Sequence, residues 1–594
     1  MVHLNSVKNL QLSKIVKNEI QLFKKKKFDE KCKELSKLKS SESSFWKTLK
    51  KYEGSISQNT KKIPYLIRNN QKIFNDQEKS ELFASNLAKI FTPYNDDIFD
   101  KEFEKKVNDF ANSNDIFNYD DSNSEYNNEI NIVELNEAIK ELKLQAAHGP
   151  DKFKNQILKN LRHLGKNYIL ALLNRSFLQN DIPLDWKIAE ITMIPKKAND
   201  AHNPQNYRPI SLTNSLVKLL ERILKNRLIR YLEENNLLCY NQSGFRKNRR
   251  TVDNIFYFKQ KCLEAFHEEK KICGILFDIE KAFDKVWHNG LFMKLHEKKV
   301  PSKIANWIKN FLTDRKFYVN VNSKKSNPYN IITGVPQGSV LAPILFLIFI
   351  DDIPKSVNTK GESLLFADDL FSFYGDKNLK RVNRIMQKYL NLLEDWLKKW
   401  RLKAAANKCS YNIYQTKGKS KTDLNLFLFG EKIKKENNAK YLGIHIDSNV
   451  NFSHHINMVK SKASKKMNFL KVINFKKNKI NLKTKVDIYQ SMIRSNIDYA
   501  APLLTKINIS SAKTLESIQY HSMRIILNER LGSSNKRMRD KLGLETIKTR
   551  ILNLKASYLS SAIQNNNKLI IKLQNEFEEF KKNHKINSND GFIL

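Results

Sequence analysis

Glycine is scarce in this chain, 16 of 594 residues against a usual share of about 7%. In such a chain each glycine carries more information, since the backbone is expected otherwise to avoid positions that need positive φ. Cysteine is scarcer still. Cys32, Cys239, Cys262, Cys273 and Cys409 are odd in number and widely scattered, which excludes a disulfide scaffold and a C-x-x-C zinc pattern and fits a reducing interior. Long apolar runs are missing. The longest, residues 340–350, contains Pro343 and falls well short of the ~20 residues that span a bilayer. Residues 1–10 lack the apolar core and small-residue cleavage site of a secretory signal. The expectation is a nuclear or cytoplasmic protein with no membrane contact. No G-x-x-x-x-G-K-[ST], G-x-G-x-x-G or G-x-S-x-G occurs, which removes the P-loop, the dinucleotide fingerprint and the hydrolase elbow.

Positive charge is what the chain has in excess: 105 Lys+Arg against 62 Asp+Glu, a net of +43. With 41% hydrophobic residues, 34 Phe and 21 Tyr, there is ample material for buried cores, and wholesale disorder is excluded. The length corresponds to about four domain equivalents. Residues 1–62 carry a net +10, with lysines at 24–27, whereas residues 91–130 carry a net −8 and no Gly. That acidic stretch reads as an exposed linker or a flexible insertion. The surplus lies downstream, +40 over residues 131–594 and +17 over residues 451–594. Two readings stand on charge alone, a polyanionic partner or a solvated Lys-rich face.

Residues 5–60 have a helical, Lys-rich pattern that would dock through Phe45 and Trp46, and a second helix is expected over 76–91. Val133, Ile139 and Leu142 recur at helical spacing. Residues 188–194 are strand-like, residues 207–212 read as a polar loop, and a long amphipathic helix runs through Leu232. Residues 272–278 and 364–373 are apolar runs of strand length, and the chain from about 452 onward is mostly helical. Strands and helices mix without a βαβ rhythm, so the class expected is α+β.

Two of the apolar strands end on, or are interrupted by, acids: Asp278 after Ile275-Leu276-Phe277, and Asp368-Asp369 between Leu364-Leu365-Phe366-Ala367 and Leu370-Phe371-Ser372-Phe373. A carboxylate beside such a strand is costly unless a cation compensates it. Acids from two strands can hold Mg²⁺, and a pair of such ions suits an attacking hydroxyl and a leaving pyrophosphate. Asp96-Asp97, Asp120-Asp121 and Asp351-Asp352 are also acidic pairs. Only Asp368-Asp369 is bracketed on both sides by strand-like residues, as a hairpin tip requires.

Three motifs occur in order: Phe277-Asp278-Ile279-Glu280-Lys281-Ala282-Phe283-Asp284-Lys285-Val286-Trp287-His288, then Gly334-Val335-Pro336-Gln337-Gly338-Ser339, then Phe366-Ala367-Asp368-Asp369. From about His148 to Ala501 the chain resembles the reverse transcriptase of LINE-type (non-LTR) retrotransposons of the Jockey and RTE groups. The resemblance implies a right-hand polymerase: a Lys/Asn-rich N-terminal region and acidic linker over 1–130, fingers over 131–271, a palm over 272–446, and a thumb with a helical extension over 447–594. It implies an RNA-directed DNA polymerase that extends a DNA primer with dNTPs on an RNA template, which can be the element's own transcript. The cofactor implied is a pair of Mg²⁺ ions, with Mn²⁺ as a substitute.

By similarity, Asp278, Asp368 and Asp369 are the metal ligands and catalytic acids. Lys408 matches the lysine that protonates departing pyrophosphate, although Ala405 stands where relatives often have Asn; a plain surface lysine is the other reading. Lys196 or Lys197 and Arg208 match triphosphate contacts. Phe283 matches the ring under the incoming sugar that rejects a 2′-hydroxyl, Gln337 a contact near nucleotide or template, and Asp284 a structural acid. Gly334 and Gly338 match the loop beside the nascent base pair. Gly244 and Arg246, in Gln242-Ser243-Gly244-Phe245-Arg246, match the fingers or template path. Tyr441 and Gly443 match the hairpin that grips the primer, and 489–502, with Arg494 and Tyr499, the region after the thumb. Relatives commonly carry an endonuclease ahead of the polymerase, and the 130 residues available here are too few to supply one, so a polymerase portion is expected. His454-His455 lacks cysteine partners, so zinc is not expected. The rival reading is a nucleic-acid-binding remnant with decayed catalysis, which ought to have lost one of the three acids; all three are present.

Overall fold

The computed structural model describes residues 15–23, 26–27, 30, 34–35, 37–38, 41–52, 63–94, 96–113, 116–121, 123–196, 200–357, 359–418, 420, 422–474 and 480–585. They fall into two compact units: a larger one of residues 63–442 with 567–573, and a smaller one built from 443–566, 574–585 and the described residues before 53.

The larger unit holds two main sheets. The first runs β4-β3-β6-β7, with β8 also on β6, from β3 (Ile188–Pro195), β4 (Tyr207–Leu212), β6 (Arg315–Val321), β7 (Lys324–Lys325) and β8 (Tyr329–Ile331). β3 and β4 are antiparallel, while β3 and β6 are parallel. Residues 207–212, expected as a loop, are therefore a strand. Tyr207, Pro209 and Ser211 alternate inward, and Pro209 is tolerated because β4 lies at the sheet edge. Because β6 belongs to this sheet, residues on both sides of position 271 share one structure.

The second sheet runs β14-β11-β5-β10-β9, from β5 (Lys271–Asp278), β9 (Glu362–Phe366), β10 (Asp369–Asp376), β11 (Ser410–Tyr414) and β14 (Lys434–Lys435). Its centre, β5, is apolar throughout its middle and pairs antiparallel with β10 and β11. Short strands β1 (Leu66–Arg68) with β2 (Gln71–Ile73), and β12 (Phe427–Leu428) with β13 (Glu431–Lys432), form separate hairpins. β15 (Asn438–Tyr441) closes the larger unit and β16 (Ile444–Asp447) opens the smaller.

Helix α1 (Asp76–Ile90), capped by Asn75 Oδ1 on Gln77 N, buries Leu82, Phe83 and Leu87 against the first sheet, and Phe91 follows in the same core. The acidic stretch 91–130 is not an exposed linker. Its α2 (Lys101–Asn112) buries Val107 and Ala111, and Ile116, Phe117, Tyr126 and Ile130 join the main core. Its acids have partners: Asp96 pairs with Lys403, Glu104 with Arg401, and both oxygens of Asp121 accept from Ser302 at 2.6 Å. Val133 also departs from expectation; it is exposed, while Leu135, Ala138 and Ile139 carry the buried face.

Helix α3 (Ser215–Glu234) buries a continuous apolar stripe in the same core. α4 (Thr251–His267) and α6 (Leu379–Lys399) pack on opposite faces of the second sheet: Phe258 of α4 meets Phe371, and Tyr389 of α6 meets Phe277. Between them in sequence, α5 (Ala342–Ile350) is apolar all round and interior apart from the half-buried Pro343.

The smaller unit is helical. In it α7 (Ser453–Ile473) packs on α8 (Ile509–Leu527), with Ile456, Val459 and Leu470 of the first and Leu515, Ile518 and Met523 of the second buried. Tyr489 donates to Gln519 Oε1 at 2.9 Å. Among the described residues, no helix is long and apolar enough to cross a membrane.

Candidate active site

The acidic groups meet where β5 ends and β10 begins. Asp369 stands directly opposite Asp278 in the antiparallel ladder, and Phe366 opposite Asp369, so Ala367 and Asp368 form a two-residue turn. Like charges in directly opposed positions repel. Asp369 is exposed, yet desolvation by the surrounding chain, then Asp368, then Asp278, push its carboxyl up to about 6. Asp368, also exposed, is raised by desolvation and by Asp278, and Arg208 acts the other way.

Lys408 is brought to Asp278 by a loop that runs beside the strand end. Glu280 N donates to Lys403 O at 2.9 Å and Ala405 N to Asp278 O at 3.2 Å; the chain then turns and enters β11. This places Lys408 Nζ 3.1 Å from Asp278 Oδ2, both side chains remaining open to solvent.

A cleft of about 1350 Å³ opens in front of these groups. Asp278, Asp368 and Lys408 line one wall, and Lys196 and Arg208, from the end of β3 and the start of β4, line another. Phe283, Asp284, Gln337 and Gly338 close it. Lys197 lies outside the described residues. Phe283 is half-buried, its ring stacked on Phe346 with centroids 4.5 Å apart.

The glycine loop is moulded to this floor. Gly334 (φ +94°) has no room for a side chain, since a Cβ would lie 2.6 Å from Asp284 O. Gly338 (φ +125°) would place one 2.4 Å from Ser211 O. Ser211 N donates to Gln337 O at 2.7 Å, and Gln337 Nε2 donates to Asp284 Oδ1 at 2.8 Å. Asp284 is buried, and that burial raises its carboxyl to about 6. Below the loop, Glu221 of α3 accepts from Ser339 Oγ and from Val340 N and Leu341 N, fixing the start of α5.

The four residues expected at template or primer have protein surroundings of their own. Arg246 has a side chain only 5% exposed, and its guanidinium donates to Glu233 and to the Cys239 and Gln242 carbonyls. Gly244 lies against the catalytic turn, where a Cβ would be 2.2 Å from Ala367 N. Tyr441 is interior, stacked on Phe371 and accepting from Asn254 Nδ2 at 3.1 Å, and its burial raises the phenol. Gly443 belongs to the smaller unit, at φ +86° beneath the ring of Tyr499.

The sequence reading missed the contribution of the N-terminal region and of two lysines. Asn86, Lys89 and Tyr94 line the cleft, as do Lys281 and Lys285. Lys285 donates to Thr92 O at 2.7 Å under the Tyr94 ring, and burial, then Lys281, bring its pKa down to about 8. The spacing of Phe83, Leu87 and Phe91, four residues apart, was the available signal that this helix belongs to the core.

Among the described residues, no three His, Cys, Asp or Glu side chains converge as a ready metal cage. The donor set nonetheless fits Mg²⁺, which binds through one or two carboxylates and takes its other ligands from water and substrate phosphate. Asp278, Asp368 and Asp369 gather three carboxylates at one spot, with Lys408 3.1 Å from Asp278 and Arg208 lining the same cleft.

Residues 194–446 match the family described as reverse transcriptase (RNA-dependent DNA polymerase). The chain is 32% identical over 404 residues to the probable RNA-directed DNA polymerase from transposon BS of Drosophila melanogaster, covering 67% of this chain and 44% of that one. It is 30% identical over 455 residues to the RNA-directed DNA polymerase from mobile element jockey of the same fly, covering 74% and 48%. The corresponding X-element protein is 28% identical over 476 residues, 79% and 51%. The chain thus spans about half the length of these relatives.

Proposed function

We propose, from a chain whose residues 194–446 form a reverse transcriptase domain, that it is the RNA-directed DNA polymerase of a LINE-type retrotransposon. It would add dNTPs to a DNA 3′-hydroxyl on an RNA template, its own element's transcript among the candidates, in the nucleus or cytoplasm. The observation that carries the reading is the pairing of Asp278 with Asp369 across two strands, with Asp368 on the turn beside them, at the mouth of a cleft lined by Lys196 and Arg208.

Residues 131–271 would act as fingers, 272–446 as palm and 447–594 as thumb and extension. Asp278, Asp368 and Asp369 would hold two Mg²⁺ ions, which when bound acidify the primer hydroxyl and screen the phosphates. Lys196 and Arg208 grip the triphosphate, the guanidinium through its fixed fork of donors. Phe283 supports the sugar and excludes a 2′-hydroxyl. Gln337, oriented by Asp284, hydrogen-bonds beside the nucleotide. Lys408 would give its proton to the departing pyrophosphate; its Nζ lies 3.1 Å from Asp278 Oδ2.

Primer extension on an RNA template with Mg²⁺ tests the reading. Wild-type chain should incorporate dNTPs, and Asp368→Asn should abolish incorporation while retaining the fold and template–primer binding. Extension undiminished in Asp368→Asn would refute the metal assignment. Binding without incorporation by wild type would favour the catalytically decayed reading.

A further inference from the structure

The acidic turn is held from outside its own hairpin. Ala367, immediately before Asp368, has φ +57°, a left-handed conformation that a residue with a Cβ enters at a cost. Two-residue hairpin turns usually place Gly, Asn or Asp in such a position. An alanine there persists only where its surroundings over-determine the backbone.

Those surroundings are residues 241–244, between α3 and α4. Leu365 N donates to Asn241 O at 3.0 Å and Ser243 N to Leu365 O at 2.9 Å, so Gln242 forms a parallel bridge with Leu365 on β9. The side chain of Gln242, fully buried, then continues this pairing around the turn. Its Oε1 accepts from Ala367 N at 3.0 Å and from Gly244 N at 2.7 Å, while its Nε2 donates to Ala367 O at 3.4 Å. Gly244 allows the close approach that the clamp needs.

We infer that Gln242 is a positioning residue for the catalytic turn: one primary amide holds the N–H and the C=O of Ala367, and so fixes the direction in which Asp368 leaves β9. The task needs an acceptor and a donor on one planar group, which glutamine supplies and glutamate does not. Gln242 touches no substrate. Its effect on catalysis rests on the polymerase reading; the clamp itself does not.

The test uses the full chain as wild type, Gln242→Met, Ala367→Gly and the double variant. Methionine keeps the length of the side chain and removes both hydrogen-bonding groups. Amide exchange over residues 364–370, which needs no substrate, should accelerate in Gln242→Met while exchange over residues 509–527 stays unchanged. Single-nucleotide incorporation should show kcat lower by about ten- to a hundredfold with KM for dNTP within about threefold. Glycine reaches the left-handed region freely, so in the Ala367→Gly background loss of Gln242 should cost under about threefold in kcat. Unchanged exchange at 364–370, or an equal kcat loss in both backgrounds, overturns the inference. Should Gln242→Met alone fail to fold, a folded double variant supports the clamp, and failure of both makes Gln242 a packing residue and overturns it. A wild-type chain that incorporates nothing refutes the polymerase reading and leaves the clamp to be decided by exchange.

Discussion

Gln337 Nε2 donates a 2.8 Å hydrogen bond to Asp284 Oδ1, joining the glycine loop to the segment that follows β5. The acceptor is a carboxyl 6% exposed whose pKa burial raises to about 6. The fold thus favours the protonated form, and an ionised Asp284 withholds stability. That cost is absent below the ordinary 3.8, develops between 3.8 and about 6, and is complete above. Asp284→Asn keeps an oxygen for Gln337 and cannot ionise. It should stabilise the chain at pH 7.5 by up to about 3 kcal/mol, and the gain should fade toward pH ~4. Denaturant midpoints across that range measure it, and a variant less stable than wild type at pH 7.5 would sink the argument.

His288 gives the opposite sign in the same loop. Its Nε2 donates to Gly334 O at 2.8 Å from a buried ring, and burial lowers its pKa from 6.5 to about 4. The neutral imidazole's stability is complete above pH 6.5 and is lost as pH falls toward 4. The loss amounts to about 3 kcal/mol. His288→Gln retains a donor for Gly334 and does not titrate. The variant should therefore be flatter than wild type between pH 7 and ~4.5. Parallel pH profiles for the two proteins would contradict this.

Phe283 faces the cleft as a half-buried ring stacked on Phe346. Phe283→Val should shorten the floor beneath the sugar and admit a 2′-hydroxyl. The ratio of kcat/KM for dNTP over rNTP should fall about tenfold or more, since a pocket rejects an added hydroxyl mainly by lack of space. The same ratio in both proteins would remove Phe283 from the gate role. Some loss of thermal stability is expected as well, of about 1–3 kcal/mol, from the cavity left against Phe346.

The strands bearing the acids were legible because their apolar runs end sharply on charge: Ile275-Leu276-Phe277 before Asp278, and Leu364 to Ala367 before Asp368. β4 was not, because Arg208, Pro209 and Ser211 look like loop chemistry, and only pairing with β3 makes their alternation a strand. Residues 91–130 misled for a different reason. Net charge counts acids without their partners, and Asp96, Glu104 and Asp121 are matched by residues some two to three hundred positions away. Motifs gave the neighbourhood of the site but not the facing of each side chain. Arg246 turns to Glu233 and Tyr441 to Phe371, and no local pattern announces either. The reach of residues 86–94 into the cleft is a tertiary fact of the same kind.

The charge excess permits a last prediction. Residues 131–594 carry +40, and Lys196, Arg208, Lys281 and Lys285 line the cleft. A protein that neutralises phosphates with lysine and arginine releases condensed counterions, so its affinity falls steeply with salt. Template–primer affinity should weaken by about a hundredfold or more between roughly 50 and 200 mM salt. Replacing lysines over 460–471 of α7 with glutamine should reduce the slope of log Kd against log salt by about one for each phosphate that is no longer neutralised, with little dependence on sequence. Binding titrations over that salt range measure both. A slope near zero would leave the lysines as a solvated face and return the +43 to the status of composition alone.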